Sequence, residues 1–431
     1  MSISELASAA KAASIRLAAV KTDVKNNALS EIAKALATRS GEIISANASD
    51  LAQGEKDNLA APLLKRLKFD DSKIADVIDG IESLIKLDEP VGNTLTATEL
   101  DDGLELYKVS CPIGVIGVVF ESRPDALVQI STLCLKSGNA VLLKGGSEAA
   151  NTNKKLAEVI ADATEKAGIP AGWIQLLETR ADVAGMLGMD DYIDLVIPRG
   201  SNEFVKYIMD NTNIAVLGHA DGICHVYIDG AADIDMAVKV AVDSKCQYVA
   251  VCNAEETLLV DESIAGQFLT KVKAEFDKQN VELRGCEKTA AIIDVKPATQ
   301  QDWETEYLDY ILSIKIVAGL DEAIEHINRY GSGHTDVIVT SDKARAVRFT
   351  ELVDSGNVFW NCSSRFSDGF RYGLGAEVGI STNKIHARGP VGLEGLLIYK
   401  WKLVGAGQTV ADYSAGKKKF THKNINKNCE L

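Results

Sequence analysis

Hydrophobic side chains recur at helical spacing through residues 2–86, which are rich in Ala, Leu and Lys. The clearest set of these positions is Leu29, Ile32, Ala33 and Leu36. The pattern shortens and alternates from Leu95 to Val109, around the turn residues Asp101-Asp102-Gly103. We therefore predict an N-terminal helical region that is followed by a β-hairpin.

Short apolar runs alternate with helical stretches through the next part of the chain. The predicted strands are 115–120, 140–143, 174–177, 195–197 and 214–217, and the predicted helices include 124–136 and 147–167. Such alternation is typical of a parallel, doubly wound sheet.

A second alternating region extends from about His225 to Asn361. Its neighbourhood contains the predicted helices 236–245 and 320–329 and the predicted strands 257–260, 292–295, 314–317 and 336–340. Glycine-rich loops follow between Asp368 and Gly395, and the apolar run Leu396–Val404 is predicted to be a strand. No internal repeat or low-complexity linker separates these regions, so we expect α/β lobes that pack together.

The composition restricts the classes of partner. Lys plus Arg number 46 against 61 Asp plus Glu, a net charge of −15, which argues against nucleic acid. The longest apolar run, near Ile113–Phe120, is too short to span a bilayer, and the first residues lack the features of a secretory signal. The 8 cysteines are scattered singly, as we expect of reduced thiols in a cytoplasmic protein.

Three predicted strand-to-helix turns carry groups that suit an anionic ligand. In the first, Ser122 and Arg123 precede Pro124, which suits the first position of a helix. The second is Lys144-Gly145-Gly146-Ser147, and the third contains Gly200-Ser201. Backbone N–H groups at helix starts favour anions, and ligands of open α/β sheets lie at this edge. Neither glycine-containing turn matches a standard nucleotide motif, and the first turn has the alternative of a capped helix with a surface arginine.

Cys252 lies between a predicted helix and a predicted strand, where a thiol is placed to attack a carbonyl. The alternative is an inert buried cysteine. The 6 histidines form no HExxH motif or close pair, so no metal site is predicted, and His334 is interpreted as a loop histidine. Arg365, Arg371 and Arg388 suit carboxylate or phosphate groups, although structural ion pairs would use the same residues.

Longer blocks of sequence resemble the aldehyde dehydrogenase superfamily and, within it, the family of γ-glutamyl phosphate reductases. These blocks are 191–200, 317–338, 364–369 and 375–390, in the same order as in the family. The resemblance implies an aldehyde dehydrogenase-like α/β fold. Residues 1–94 and 111–227 would form a doubly wound, Rossmann-like cofactor domain, residues 228–384 an α/β catalytic domain, and residues 95–110 and 390–412 a small β oligomerisation element.

The resemblance also implies NADPH-dependent reduction of L-glutamyl 5-phosphate to L-glutamate 5-semialdehyde and phosphate, the second step of proline biosynthesis from glutamate. Cys252 would form a thioester with the substrate, and Ser122 would help to hold the oxyanion. The implied contacts to NADP(H) are Lys144, Gly145, Gly146, Ser147, Gly200, Ser201 and Glu306. The implied contacts to the substrate are Arg123, Asn361, Ser363 and Arg365.

Two departures from the general dehydrogenase pattern favour a reductase. His219 stands near the position of the glutamate that activates water in aldehyde oxidisers, with Asp221 close by, so a thioester would be kept for reduction. Ser147 occupies the place of a glutamate in NAD-preferring relatives, which favours NADPH. We expect a homo-oligomer that can cooperate with a glutamate 5-kinase. The alternatives are a CoA-acylating or aldehyde-oxidising dehydrogenase, and a non-catalytic relative.

Overall fold

The computed structural model describes residues 2–121, 123–219 and 221–430. Its N-terminal region is helical, as predicted. The helices are α1 (Ile3–Leu17), α2 (Thr22–Thr38), α3 (Ser40–Lys56), α4 (Ala61–Leu67) and α5 (Asp71–Lys86). Helix α1 begins with a capping box between Ser2 and Glu5, and its buried alanines at positions 7, 10 and 13 allow close packing. These helices share one hydrophobic core with the sheet that follows.

The predicted hairpin is present as β1 (Thr94–Asp101) and β2 (Leu104–Pro112), which pair antiparallel. Gly103 turns the chain between them with φ of 66°, a conformation that favours glycine. The elements of the first sheet and its helices follow in order: β3 (Val115–Phe120), α6 (Pro124–Lys136), β4 (Ala140–Lys144), α7 (Ala150–Lys166), β5 (Ile174–Leu176), α8 (Arg180–Leu187), β6 (Leu195–Arg199) and α9 (Asn202–Asp210).

The strands of this first sheet are parallel in the order β5-β4-β3-β6, which confirms the predicted α/β class. Two local predictions need correction. The stretch 214–217 contributes only an isolated parallel bridge between Val216 and Val196. The predicted helix at 147–167 is divided into a short 3-10 turn, Ser147–Ala149, and helix α7.

The second sheet is built from residues 224–360. Its elements are β7 (Cys224–Ile228), α10 (Ile234–Cys246), β8 (Glu255–Asp261), α11 (Ala265–Lys278), β9 (Glu282–Gly285), α12 (Glu287–Ala290), β10 (Lys296–Pro297), β11 (Ile311–Val317), α13 (Leu320–Tyr330), β12 (Thr335–Val339), α14 (Lys343–Leu352) and β13 (Asn357–Trp360). The strands are parallel in the order β10-β9-β11-β8-β7-β12-β13.

The predicted strand at 292–295 is wrong. This apolar run follows α12 without strand pairing, and Ile293 is buried in the core of the second sheet, with Val295 packed against that core. Hydrophobicity marks the run as buried, but burial of side chains does not require backbone pairing. The only pairing nearby is β10, which runs parallel to β9 at Lys296 and Pro297.

The C-terminal elements are β14 (Gly379–Ser381), β15 (Gly389–Val391), β16 (Leu397–Val404), α15 (Val410–Ser414) and β17 (Lys423–Asn424). Strand β16 pairs antiparallel with β2, and the sheet order is β16-β2-β1-β17. The hairpin and the strand β16 are far apart in the sequence, but they form one sheet in the structure. In the described ranges, no helix combines the length and the apolar character that a membrane crossing demands.

Candidate active site

A cavity of about 770 Å³ lies where the carboxyl edge of the first sheet meets the loop that carries Cys252. The residues that follow β3 and β6 line one side, including Arg123 and Gly200-Ser201. Ala250, Val251 and Cys252 line another side. The predicted nucleophile therefore faces two of the three predicted anion-binding turns. The predicted oxyanion residue Ser122 lies outside the described residues.

Cys252 stands in the loop between the end of α10 and the start of β8, as the sequence predicts, and it is half-buried. The loop is held through its backbone. The Cys224 thiol donates to the Cys252 carbonyl over 3.2 Å, and the Ser364 hydroxyl donates to the Asn253 carbonyl over 2.7 Å. The Asn253 amide donates to the Ser367 carbonyl over 2.6 Å. These contacts orient the thiol without using it.

Gly222 brings a second backbone segment against the nucleophile. A Cβ built at this position would lie 2.5 Å from the Cys252 Cα and 2.7 Å from its carbonyl carbon. Distances under 3.0 Å are essentially never seen for a real Cβ, and all of the nearest atoms are backbone. Only glycine therefore allows this approach. Sequence reasoning did not single out Gly222, although it stands in the same stretch as His219 and Asp221.

The charges around Cys252 keep its thiol protonated in the absence of ligands. Burial raises its pKa to about 12, and the carboxylates of Glu306 and then Glu377 act in the same direction. The Cys252 backbone N–H and the Arg365 guanidinium act in the opposite direction. A ligand that brings positive charge or hydrogen-bond donors close to the thiol must therefore be in place before the sulfur becomes a strong nucleophile.

Glu306 connects the nucleophile to the start of α9. Its Oε2 accepts a 2.6 Å hydrogen bond from the side-chain amide of Asn202. Burial raises the pKa of Glu306, while the Asn202 amide and the Gly222 backbone N–H lower it. The predicted cofactor residue is thus held between the cofactor domain and Cys252, where its charge acts on the thiol.

Arg199 and Glu377 are charged residues of the cavity that were not among the predicted contacts to cofactor or substrate. Arg199, at the end of β6, lines the cavity, and burial lowers the pKa of its guanidinium. Glu377 also lines it, with a pKa raised by burial, and accepts a 2.7 Å hydrogen bond from the Gly369 N–H. The position of Arg199 next to the glycine turn was an available signal. Nothing local distinguished Glu377 from other residues of its block.

The predicted substrate residues do not all reach the cavity. Arg123 lines it. Arg365 is buried, its Nε donates to Gln247 over 3.0 Å, and its charge acts on Cys252. The Ser363 hydroxyl accepts hydrogen bonds from the Ser244 hydroxyl over 3.3 Å and the Arg365 N–H over 3.2 Å, so it builds the turn.

Asn361 is placed for a structural role. Its side chain accepts from the Thr340 N–H over 2.9 Å and donates to the Thr340 carbonyl over 3.0 Å. Its φ is 59°, a backbone conformation that asparagine tolerates better than most residues. This exchange with Thr340 ties β13 to the end of β12. The described cavity lining does not include Asn361.

The predicted cofactor turn lies directly after β4, at the carboxyl end of a strand of the first sheet. Lys144 is buried, and its ammonium donates to the Gly145 carbonyl. A Cβ at Gly145 would lie 3.0 Å from the Asn153 Cγ, and one at Gly146 would lie 2.5 Å from the Glu148 carboxyl carbon. Neighbouring side chains therefore press against both glycines, and a side chain at either position would clash with them. Ser147 is exposed and begins the 3-10 turn before α7.

The turn at Gly200-Ser201 presents the first backbone N–H groups of α9 to the cavity. Ser201 is the N-cap residue; its own side chain forms no cap bond, and its backbone N–H donates to the Glu121 Oε1 over 3.5 Å. A Cβ at Gly200 would meet the Glu121 Oε1 at 2.9 Å. Helix N-termini with free N–H groups suit anions such as a pyrophosphate. The residues present therefore fit a dinucleotide.

Two histidines from distant parts of the chain meet at Cys252. A ring nitrogen of His219, a ring nitrogen of His334 and the Cys252 Sγ lie within 4.8 Å of one another. The two imidazole rings pack edge to face, with centroids 5.0 Å apart. Burial lowers the pKa of both histidines, so both are neutral. The sequence did not indicate this cluster because its members are separated by many residues.

Comparison with known proteins agrees with this geometry. The family model of the aldehyde dehydrogenase family matches residues 2–302 and 284–375. The chain is 68% identical over 431 residues to a gamma-glutamyl phosphate reductase of Acetivibrio thermocellus, with 100% of both chains covered. It is 54% identical over 428 residues to a gamma-glutamyl phosphate reductase of Methanococcoides burtonii, covering 96% of this chain and 95% of the relative.

Solved structures give the same result. A crystal structure of gamma-glutamyl phosphate reductase from Thermotoga maritima matches with a TM-score of 0.93 and 41% identity, covering 95% of this chain and 100% of that one. An acetylating aldehyde dehydrogenase from Geobacillus thermoglucosidasius shares the fold with a TM-score of 0.62 at 18% identity, covering 94% of this chain and 97% of that one.

The fold and the cysteine-centred cavity thus define an enzyme of the aldehyde dehydrogenase family, to which the chain belongs. This family uses a nicotinamide cofactor. Within it, the chain belongs to the γ-glutamyl phosphate reductases, which catalyse a step of proline biosynthesis.

Proposed function

We propose that this chain reduces L-glutamyl 5-phosphate to L-glutamate 5-semialdehyde and phosphate through a thioester on Cys252, with NADPH as reductant. The observation that carries the proposal is the position of Cys252, which lines one cavity together with Arg123, Arg199 and the start of α9. The reaction of an acyl phosphate needs a nucleophile at the carbonyl carbon and cations beside the phosphate. The cavity offers both.

The chemistry of the chain's own residues follows from their placement. The Cys252 sulfur, once deprotonated, bonds to the glutamyl carbonyl carbon, and the carbon–oxygen bond to phosphate breaks with both electrons leaving on phosphate. Arg123 and Arg199 stabilise the phosphate by charge-assisted hydrogen bonds. The Cys252 backbone N–H, and Ser122 if it stands as predicted, stabilise the oxyanion. Arg365 favours the thiolate by its charge.

NADPH, when bound, supplies the hydride that converts the thioester to the aldehyde. Lys144, Gly145, Gly146 and Ser147 would hold its adenosine side, since this turn follows β4 at the edge where ligands of open α/β sheets lie. Gly200, Ser201 and Glu306 would hold the nicotinamide side, because they lie nearer to Cys252. The exposed Ser147 carries no charge that would repel a 2′-phosphate.

The position of Glu148 argues against the proposed preference for NADPH over NADH, so this preference needs a direct test. Its carboxyl carbon lies beside Gly146 in the same turn, one position after Ser147. A carboxylate there would favour free ribose hydroxyls over a 2′-phosphate. Titration of the protein with NADPH and NADH, followed by cofactor fluorescence, measures the two dissociation constants. Tighter binding of NADPH supports the proposal, and tighter binding of NADH contradicts it.

The test of the reaction is its reverse, in which glutamate 5-semialdehyde reduces NADP⁺. We expect this reduction to require inorganic phosphate, because phosphate must cleave the thioester. A CoA-acylating dehydrogenase would require CoA instead, and an aldehyde oxidiser would require neither. Cys252→Ala should be inactive and should carry no acyl adduct in the mass spectrum of the intact protein. Turnover by that variant at the wild-type rate would refute the thioester mechanism and would indicate that Cys252 is an inert cysteine.

The sheet of β16, β2, β1 and β17 is proposed to join subunits. Strand β16 lies at the edge of this sheet, and several of its apolar side chains are exposed: Ile398, Tyr399, Trp401 and Leu403. An apolar edge strand of this kind is a site for pairing with another chain. Sedimentation of the untagged protein should show a dimer or a multiple of it. A glutamate 5-kinase is a proposed partner because the acyl phosphate is labile in water.

A further inference from the structure

The cluster of Cys252, His219 and His334 has the chemistry of a metal site. One sulfur and two imidazole nitrogens lie within 4.8 Å of one another. They come from separate segments: His219 precedes β7, Cys252 precedes β8, and His334 precedes β12. Because these strands are neighbours or near-neighbours in one parallel sheet, their amino-terminal ends meet at one edge.

The His219 ring has one nitrogen fixed and the other available. Its Nδ1 lies 3.0 Å from the carbonyl oxygen of Ile380. A carbonyl oxygen can only accept a hydrogen bond, so Nδ1 carries the proton and Nε2 keeps a lone pair. Metal-bound histidines usually donate their second N–H to a carbonyl or carboxylate in this way, which fixes the ring for the metal.

The His334 ring can divide its roles in the same way, because the Thr335 hydroxyl and the Cys224 sulfur, whose own proton goes to the Cys252 carbonyl, can both accept from Nδ1. It is fully buried, and its Nδ1 lies 2.8 Å from the Thr335 hydroxyl and 3.7 Å from the Cys224 Sγ. Its Nε2 is buried and has no hydrogen-bond partner among the described residues. An unpaired buried ring nitrogen is costly, and a metal ion would satisfy it. This orphaned nitrogen is an independent indication of a ligand.

We infer that Cys252, His219 and His334 bind one Zn²⁺ ion, and that this ion inhibits the enzyme reversibly by occupying the nucleophile. Zn²⁺ is the ion that a thiolate and two neutral imidazoles suit best. On binding, the S–H bond of Cys252 breaks, the S–Zn bond forms, and the proton leaves to solvent without any change in oxidation state. Because His219 and Cys252 line the cavity, water fills the fourth coordination position.

The required rearrangement is small. Tetrahedral zinc with Zn–S bonds of about 2.3 Å and Zn–N bonds of about 2.0 Å places its ligand atoms roughly 3.3–3.6 Å apart. The observed separations of up to 4.8 Å therefore need to close by about 1 Å. His334 is fixed in the core, but Cys252 is half-buried and can rotate its Sγ toward the two rings.

The inhibitory role rests on the proposed function, in which the Cys252 sulfur must be free to attack the acyl phosphate. A thiolate that shares a lone pair with zinc is a weaker nucleophile, and the metal blocks its approach to the carbonyl carbon. Substrate and Zn²⁺ should therefore compete for the same atom. Inhibition should be reversed by a chelator, since no covalent bond to carbon is made.

Direct binding is the primary test, with untagged, chelator-treated protein and no turnover. Zn²⁺ is titrated against a chromogenic chelator, and Co²⁺ is used as a spectroscopic substitute whose thiolate charge-transfer band reports sulfur coordination. We expect one ion per chain at micromolar concentration or below. Cys252→Ser should lose the charge-transfer band, and His219→Gln should weaken binding at least tenfold, on the order of one lost ligand.

Matched controls separate this site from chance binding. His422→Gln and Cys286→Ser should leave the affinity for Zn²⁺ unchanged, because both residues lie away from the cluster. His334→Gln tests the third ligand, and thermal unfolding shows whether this buried substitution still folds. His219 is half-buried and lines the cavity, so its variant keeps the test decisive if His334→Gln does not fold.

Two results would overturn the inference: no binding of Zn²⁺ at millimolar concentration, or binding that Cys252→Ser and His219→Gln leave intact. The second result would mark surface binding only. A failure of the proposed metal site can be distinguished from a failure of the proposed reaction. If Cys252→Ala is inactive and the wild type binds no Zn²⁺, only the metal site is refuted. If Cys252→Ala is active, the role of the thiol in catalysis is refuted.

Discussion

Replacement of Gly222 by alanine should disable the nucleophile without touching its sulfur. The added Cβ would lie 2.5 Å from the Cys252 Cα and 2.7 Å from its carbonyl carbon, whereas ordinary contacts begin at 3.4 Å. No side chain can yield, because the closest atoms are all backbone. The Cys252 loop or the Gly222 segment must therefore shift by about 1 Å, given the deficit between those distances.

The expected loss of activity follows from that displacement. A misplacement of about 1 Å at a reacting group can cost roughly 100-fold in rate. The Gly222 N–H also hydrogen-bonds to Glu306, so the shift disturbs the charge that acts on the thiol. We expect kcat/KM of Gly222→Ala to fall about 100-fold, with a loss of roughly 1–3 kcal/mol in the free energy of unfolding from overpacking.

The assay is the phosphate-dependent reverse reaction, combined with urea unfolding and alkylation of Cys252 followed by peptide mass spectrometry. Gly80→Ala is the matched control, because a Cβ at this position in helix α5 meets nothing within 4 Å. It should keep full activity and gain about 0.5–1 kcal/mol of stability. Wild-type kcat/KM in a folded Gly222→Ala protein would refute the argument that backbone contact positions the thiol.

Three further substitutions test the charges around the cavity and in the core. Glu306→Gln removes a carboxylate that raises the pKa of Cys252, so iodoacetamide should modify the Cys252 peptide faster than in the wild type at pH 8. In the wild type, the modification rate should still increase at pH 10, because the pKa of the thiol is about 12. Lys245→Met removes the buried partner of Glu256, 2.6 Å away, and should lower the unfolding free energy by about 3–5 kcal/mol in urea titrations. Arg199→Gln should raise the KM for phosphate in the reverse reaction about tenfold or more, in line with the loss of one charged hydrogen bond.

Each of these predictions has a control and an outcome that contradicts it. Modification of Glu306→Gln no faster than wild type would show that its charge does not reach the thiol. Lys271→Met removes an exposed ion pair with Asp235 and should change stability by no more than about 0.5 kcal/mol. If Lys245→Met lowered the unfolding free energy no more than Lys271→Met does, the buried ion pair would contribute no more to stability than the exposed one. A KM for NADP⁺ that rises as much as the KM for phosphate would argue against a phosphate contact at Arg199.

The order of secondary structure elements could be read from the sequence because it depends on local spacing. Helix α6 lies at the predicted residues 124–136, and strand β3 at the predicted residues 115–120. The hairpin turn at Gly103 follows from the turn chemistry of its residues. The failure at 292–295 has the same origin, because an apolar run indicates burial but not pairing.

The candidate site also contains residues that local sequence could predict and residues that it could not. Cys252, Arg123 and the Gly200-Ser201 turn were predicted because a reactive residue type stands at an element boundary, and the structure places all of them along one cavity. Resemblance to a family added Glu306, whose own neighbours give no hint of its position. Gly222 was missed because its requirement for glycine arises from a segment 30 residues away in the chain (252 against 222).

Periodicity along the chain determined an α/β protein with a helical N-terminus, a hairpin and a thiol at a helix-to-strand junction, because each of these depends on neighbouring residues. Only the tertiary structure decided what surrounds that thiol. It brought Glu306 and Arg365 close enough to act on the thiol's pKa, and it set His219 and His334 beside its sulfur. The physical reason is that electrostatic and coordination effects depend on distance in space, and parallel strands bring together residues that the chain keeps far apart.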